Sequence, residues 1–192
     1  MAPTKRGTLN TIAVLVIVLL SIGGGFAVQR IMRSYRLKEY PKNYEEAVSA
    51  YSAENRIPDY VVYASIKVRS DFDASLRSDD GRTGLFQLTD RQFYDLSDTE
   101  EESDPRLLYD PDCSIRLGCR WISSLYEKYG DWTAVWAAMY AGEEKVDGWM
   151  TTDKGGVKTL DSIPDRATAE YAEKTNDAVK TYRSLYSGGF FE

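Results

Sequence analysis

The sequence predicts an all-α domain behind a single N-terminal transmembrane helix. Three observations carry that expectation. From Leu9 to Val28 no side chain is charged, and a run of about 20 such residues is the length that crosses a bilayer as a helix. Beyond it, apolar residues recur at intervals of three and four, the helical period. No alternating stretch of useful length argues for a strand. The composition, 43% hydrophobic and 12% aromatic over 192 residues, is enough for one domain with a true core.

The elements follow in order. Residues 1–8 form a short tail, and residues 9–28 the anchor. Gly23-Gly24-Gly25-Phe26-Ala27-Val28 offers no clean cleavage site, which favours an uncleaved anchor over a secretory signal. Lys5 and Arg6 precede it, and Arg30, Arg33, Arg36 and Lys38 follow, so the positive-inside rule sets no clear orientation. Residues 29–43 read as a linker that includes Pro41, and the folded domain as residues 44–186, leaving 187–192 as a tail. Asn43 with Glu46 resembles a capping box opening a first helix with Tyr44, Ala47, Val48 and Tyr51 on one face. Pro58 suits the first position of a second helix, whose buried face is Val61, Ala64, Ser65, Val68 and Phe72. Thr89 and Gln92 form a capping box on a short helix bearing Phe93 and Leu96. Asp112 is placed to cap a longer helix with a stripe of Ile115, Cys119, Ile122, Tyr126 and Tyr129, closed by Gly130. Asp131 opens the next helix and Gly142 ends it. Pro164 starts the last, with Tyr171, Thr175, Ala178, Tyr182 and Leu185 in register. Acids cluster from Ser97 to Asp104, the stretch expected to be most flexible.

Charge and composition remove several function classes. The first acid is Glu39, so residues 39–192 hold all 30 acidic residues and 18 of the 24 basic ones, a net charge of −12. Such a domain repels nucleic acid, whose binding draws on lysine and arginine neutralising phosphates. With no histidine anywhere, histidine triads and histidine metal sites are excluded. Cys113 and Cys119 stand six apart on one expected helix, about 9 Å between α-carbons and beyond disulfide reach. They read as packing residues and make a poor metal site, so neither metal nor cofactor is expected.

The segments themselves say more. Ile66-Lys67-Val68-Arg69-Ser70-Asp71-Phe72, then Ser78, Gly81 and Gly84-Leu85-Phe86-Gln87-Leu88, resemble the signature of the Slt-type lytic transglycosylases. That signature sets a catalytic Glu before Ser-x-Phe at a helix end, then a serine, a glycine and Gly-Leu-Met-Gln-Leu. Tyr109-Asp110-Pro111 with Ile115, Leu117 and Gly118 is similar to the family's Asp-Pro-x-x-Asn-Ile-x-x-Gly helix start. Tyr129-Gly130-Asp131-Trp132 fits the following turn, Ala137 to Gly142 the Ala-Ala-Tyr-Asn-Ala-Gly element, and Lys158-Thr159-Leu160 through Ile163-Pro164 to Tyr171 the closing helix. Each segment alone is a weak signal; their shared order and spacing are a strong one.

The resemblance implies a lysozyme-like fold with a groove for peptidoglycan glycan strands. It also implies that the C-terminal domain is extracytoplasmic, on a single-pass anchor in the cell membrane. In that family one Glu protonates the glycosidic oxygen and then helps the muramoyl C6 hydroxyl close onto C1, leaving a 1,6-anhydro end. Such a group needs a pKa raised toward neutrality. By position, that residue is Arg69, and arginine stays protonated at any working pH. By the same carry-over Ser78, Phe86, Gln87, Met139, Tyr140 and Tyr171 line the sugar site. Met139 and Tyr140 replace the family's Tyr-Asn, Glu143-Glu144 its Pro-Gly, and Ala167-Thr168-Ala169 its Glu-Thr-Arg.

Plainer readings stand beside these. On spacing alone Arg69 is a solvated side chain at the edge of the stripe formed by Val62 and Ile66. Ser78 and Gln87 suit loop hydrogen bonds, and Tyr171 suits a core aromatic. Three functions follow: a pseudoenzyme that holds glycan strands without cleaving them; an active glycosidase using Asp71 or Glu143 instead; and a scaffold of a cell-envelope machine, favoured if Arg69, Met139 and Tyr140 fill the groove. In the first, Arg69 meets a peptide-stem carboxylate or Glu143.

Overall fold

The computed structural model describes residues 23–26, 28–97, 103–152, 156 and 158–186. The chain divides into two units, Met1–Pro41 and Lys42–Glu192. In the first, most of the expected anchor, residues 9–22 and 27, lies outside the described residues, as does the expected tail before it. No helix among the described residues is long and apolar enough to cross a membrane. Residues 29–39, expected as part of the linker, are helical.

The second unit is built of seven α-helices among its described residues: α1 (Glu45–Glu54), α2 (Asp59–Ser70), α3 (Asp90–Leu96), α4 (Pro111–Tyr129), α5 (Trp132–Ala141), α6 (Glu143–Trp149) and α7 (Arg166–Tyr186). A 3₁₀ helix, Pro105–Tyr109, precedes α4. Two helices form the centre. In α2 every residue from Val61 to Ile66 is buried, and in α5 every residue from Ala134 to Met139. A helix buried on all sides shows no amphipathic stripe, because no face of it meets water. Both pack against α7, while α4 packs against α1, α3 and α5. Polar bonds pin the packing: Trp136 Nε1 donates to Asn176 Oδ1 at 2.9 Å, joining α5 to α7, and Tyr51 Oη donates to Asp112 Oδ2 at 2.7 Å, joining α1 to α4.

Several caps differ from their expected positions. Tyr44, left-handed at φ 61, precedes α1 and makes no side-chain cap, so Asn43 opens nothing; Glu45 and Glu46 instead place negative charge at the helix N-terminus. Asp110, not Asp112, caps α4 by accepting from Cys113 N at 3.0 Å, with Pro111 as first helical residue. Pro58 is the cap of α2 rather than its first residue. The last helix begins at Arg166, where Asp165 accepts from Thr168 N at 2.9 Å, two residues after Pro164. The Thr89–Gln92 capping box, the Asp131 cap and the closing Gly130 and Gly142 stand as read.

Tyr126 leaves the expected stripe. It is exposed and stacks on Trp132 with centroids 4.1 Å apart, while Leu125 takes the buried place. Three elements of the second unit went unread: the 3₁₀ helix, in which only Leu108 is buried, α6, in which only Val146 is buried, and an exposed antiparallel hairpin pairing Thr151 with Thr159 and Thr152 with Lys158. Of the acidic stretch from Ser97 to Asp104, residues 98–102 lie outside the described residues, as do 187–192. Cys113 and Cys119 are buried and not joined in a disulfide, and burial pushes the Cys119 thiol up, away from thiolate chemistry.

One close approach fixes how the loop after α2 meets α4. A Cβ added at Gly118 would stand 2.2 Å from Phe86 Cγ, so the Phe86 ring lies directly on the glycine. Gly118→Ala is expected to cost about 1–3 kcal/mol in urea unfolding, as overpacked cores do. Gly148→Ala, with nothing within 4 Å of the added carbon, is expected to be neutral or stabilising, by up to about 1 kcal/mol.

Candidate functional site

Arg69 lies in the last turn of α2, three residues beyond the fully buried Ile66, so the helix carries its half-buried side chain toward the interior. Past Ser70 the chain reverses through two left-handed residues, Asp71 at φ 50 and Phe72 at φ 66. It then runs into a loop closed by bridges between Arg77 and Thr83 and between Thr83 and Leu88. Leu85, Phe86 and Leu88 anchor that loop in the core. Gly84, at φ +76, allows Leu108 to come close: a Cβ there would stand 1.9 Å from the Leu108 carbonyl oxygen. With Gln87 also left-handed, at φ 48, the loop presents two backbone carbonyls to Arg69.

The guanidinium gathers four oxygens. Nε donates to Phe86 O, Nη2 to Gln87 O at 3.0 Å, and Nη1 to both Met139 O and Tyr171 Oη at 3.2 Å. The Trp121 ring centroid lies 5.1 Å from its Cζ, a cation–π contact. Met139 is in the last turn of α5, whose final carbonyls lack intrahelical donors. Arg69 therefore caps α5 from outside, where the helix dipole welcomes positive charge. Among the described residues it has no carboxylate partner.

The other expected site residues distribute themselves as follows. Tyr171 reaches Arg69 through its hydroxyl and stacks on Tyr140, with centroids 4.9 Å apart at 30°. Tyr140 is 40% exposed. Met139 is buried, and its carbonyl rather than its side chain touches Arg69. Phe86 is fully buried on Gly118, so its ring packs the core instead of facing sugar. Gln87 spends both Nε2 hydrogens on the loop, to Gly84 O at 2.8 Å and Leu76 O at 3.0 Å. Ser78 Oγ donates to Asp80 and accepts from Arg82 N at 3.0 Å. Structure thus brings Arg69, Met139, Tyr140 and Tyr171 together, and turns the side chains of Ser78 and Gln87 to loop bonds. Trp121 belongs to the site and was missed, because its place on α4 suggests only core.

The two alternative acids are engaged elsewhere. Asp71 is exposed and ion-paired with Lys67. Glu143 does not reach Arg69 but pairs with Lys128 at 2.7 Å, and Asp147 shares that lysine at 2.8 Å. Partial burial disfavours the Lys128 charge, but bonds to Asp147 and Glu143 outweigh it and raise its pKa. Burial pushes the Tyr129 hydroxyl up to about 12. The Lys128 hydrogen bond holds the Asp147 carboxyl below the usual range.

The architecture and the helix-end position gathered around Arg69 define a lysozyme-like domain of the lytic transglycosylase class. The chain belongs to the transglycosylase SLT domain family, whose match covers residues 46–161. It is 24% identical over 156 residues to the soluble lytic murein transglycosylase of Escherichia coli strain K12, across 78% of this chain and 24% of that one. The chain thus spans about a quarter of the length of such relatives. Its fold matches an inactive mutant of lytic transglycosylase Slt from Pseudomonas aeruginosa, with TM-score 0.69 and 21% identity over 77% of this chain and 25% of that one. It also matches the 70 kDa soluble lytic transglycosylase from Escherichia coli, with TM-score 0.67 and 21% identity over 80% and 26%.

Two stability tests follow. Arg69→Met leaves three carbonyls without their donor and is expected to destabilise by about 1–3 kcal/mol, the cost of orphaned acceptors, with Tyr171→Phe at the low end. For Asp147, whose folded pKa is depressed, the contribution is complete above the unfolded value of about 3.9 and is lost as pH falls through the folded one. The gap in urea midpoint between the natural chain and Lys128→Met is therefore expected to be constant near neutrality and to close below about pH 4.

Proposed function

We propose that this chain is a non-cleaving member of its family, a membrane-tethered domain that holds the glycan strands of peptidoglycan on the wall side. The observation that carries the reading is Arg69: at the position that the resemblance assigns to the family's acid stands a permanent cation, four of whose five N–H donors are bound to Phe86 O, Gln87 O, Met139 O and Tyr171 Oη. A residue that cannot release a proton at working pH cannot serve as general acid, a contribution worth roughly 10² to 10⁴ in rate. The related Slt structure is of an inactive mutant with one glutamate changed to glutamine, a far milder change than arginine. Asp71 and Glu143 are poor substitutes, since each is exposed and paired with a lysine, whereas a general acid of this kind sits in an apolar pocket. The uncharged run from Leu9 to Val28 supports the tether, and the family supports the wall-facing side.

A scaffold function is the second reading. It draws on the same guanidinium, which ties α2, the 76–88 loop, α5 and α7 into one packed unit. The exposed ring of Tyr140 beside it favours a surface that meets a ligand.

Digestion of purified peptidoglycan by the full chain in detergent, read by mass spectrometry, is expected to release no anhydromuropeptide above the protein-free control, while the chain pellets with the sacculi. Product from the natural sequence overturns the proposal and sends the search for an acid to Glu143 and Asp71. Neither product nor pelleting leaves the scaffold. Product from Arg69→Glu alone places the whole loss at that one position.

A further inference from the structure

The Arg69 cluster has donors left over. Four of the five guanidinium N–H groups are bound, and the second N–H on Nη2 has no acceptor among the described residues. Tyr171 Oη accepts from Nη1 at 3.2 Å, so its own O–H is free to donate, and it too has no acceptor among the described residues. A hydroxyl that accepts from a cation is polarised into a stronger donor. Two unused donors thus belong to groups joined by one hydrogen bond, on a half-buried positive charge that no carboxylate of the described residues neutralises. All four oxygens around the guanidinium belong to neutral groups. The domain's excess of acid makes the missing partner more notable, since carboxylates to supply one are plentiful in the sequence.

The Tyr140 ring, 40% exposed and stacked at 4.9 Å on Tyr171, adds an aromatic surface next to these donors. Sugars lie on such rings through their C–H faces, and Tyr140 would hold a sugar with its ring substituents within reach of Tyr171 Oη. From these contacts we infer that Arg69 and Tyr171 form a carboxylate-binding pair, which selects glycan bearing a free carboxylate on the sugar itself. This rests on the glycan-holding reading above and names its substrate class: strands stripped of stem peptides, whose muramic acid lactyl groups are free carboxylates instead of amides. A carboxylate brings the opposite charge and two oxygens to the guanidinium and the hydroxyl, whereas an amide brings one neutral oxygen, so the carboxylate bonds are the stronger. A carboxylate at the end of a flexible stem lies many bonds from the ring, and fixing it costs the entropy of every bond between.

The test uses the full chain in detergent and four probes of matched length: peptide-free glycan strands, the same strands with carboxyls reduced to alcohols, chitooligosaccharide, and strands still carrying stem peptides. The peptide-free strands are expected to bind about tenfold more tightly than the other three, as one charge-assisted hydrogen bond would give. Tyr171→Phe, which keeps the stack and removes one donor, is expected to cut that preference about threefold. Equal binding of peptide-free and reduced strands overturns the carboxylate assignment while leaving glycan binding intact. Stem-bearing strands binding as tightly as peptide-free ones overturn the placement of the carboxylate on the sugar. If no probe binds, the glycan-holding reading falls, and this inference with it.

Discussion

A cation brought into a protein interior must be solvated by something other than water, and the site is organised around how this one is. Among the described residues Arg69 has no counter-ion. It is held by three backbone carbonyls, a tyrosine hydroxyl, an indole face and the C-terminal end of α5. These are partial charges, individually weak, but fixed in place by elements that fold for other reasons, so little reorganisation is needed to hold the charge. The loop carbonyls are there because Leu85, Phe86 and Leu88 are buried and because Gly84 and Gly118 let the loop lie close to its neighbours. The Met139 carbonyl is available because α5 ends two residues later at Gly142's left-handed turn.

The same surroundings act in opposite senses on an acid and on a base. Oxygens that stabilise a guanidinium repel a carboxylate and favour a neutral carboxyl, which is the condition a general acid requires. An environment suited to a raised carboxyl is therefore also one that accepts an arginine without reconstruction. An arginine in such surroundings carries the charge opposite to a carboxylate's and is held by the oxygens it meets. What arginine lacks is an exchangeable proton, since a guanidinium holds its own throughout the working range.

The fold was legible where periodicity and capping chemistry are strong. Thr89 and Gln92, Asp131, Gly130 and Gly142 each fixed a helix end from local rules. Errors of one or two residues came where an acid adjacent to the expected cap took its role, as Asp110 did for Asp112 and Asp165 for Pro164. The elements left unread were those with almost nothing buried: the 3₁₀ helix, with Leu108 alone, α6, with Val146 alone, and a hairpin of two-residue exposed strands. Arg69 was legible only as an aligned position. Its partners are backbone carbonyls, and no sequence pattern records where a carbonyl points; Trp121 was hidden for the same reason, because a ring stacked on a cation and a ring packed in a core look alike in a sequence.

Backbone strain supplies the last link between this charge and the shape of the site. Asp71, Phe72 and Gln87 all hold left-handed conformations without being glycine, each at a cost of order 1 kcal/mol. Such residues persist only where their surroundings over-determine them. Two of the three lie just after Arg69, beyond Ser70, and the third carries one of the carbonyls it binds. The strained residues lie at the two places, the end of α2 and the loop, that the guanidinium's bonds join. The bonds of Arg69 cross the place where these elements meet, so the shape of the site and the stability of its charge depend on the same oxygens.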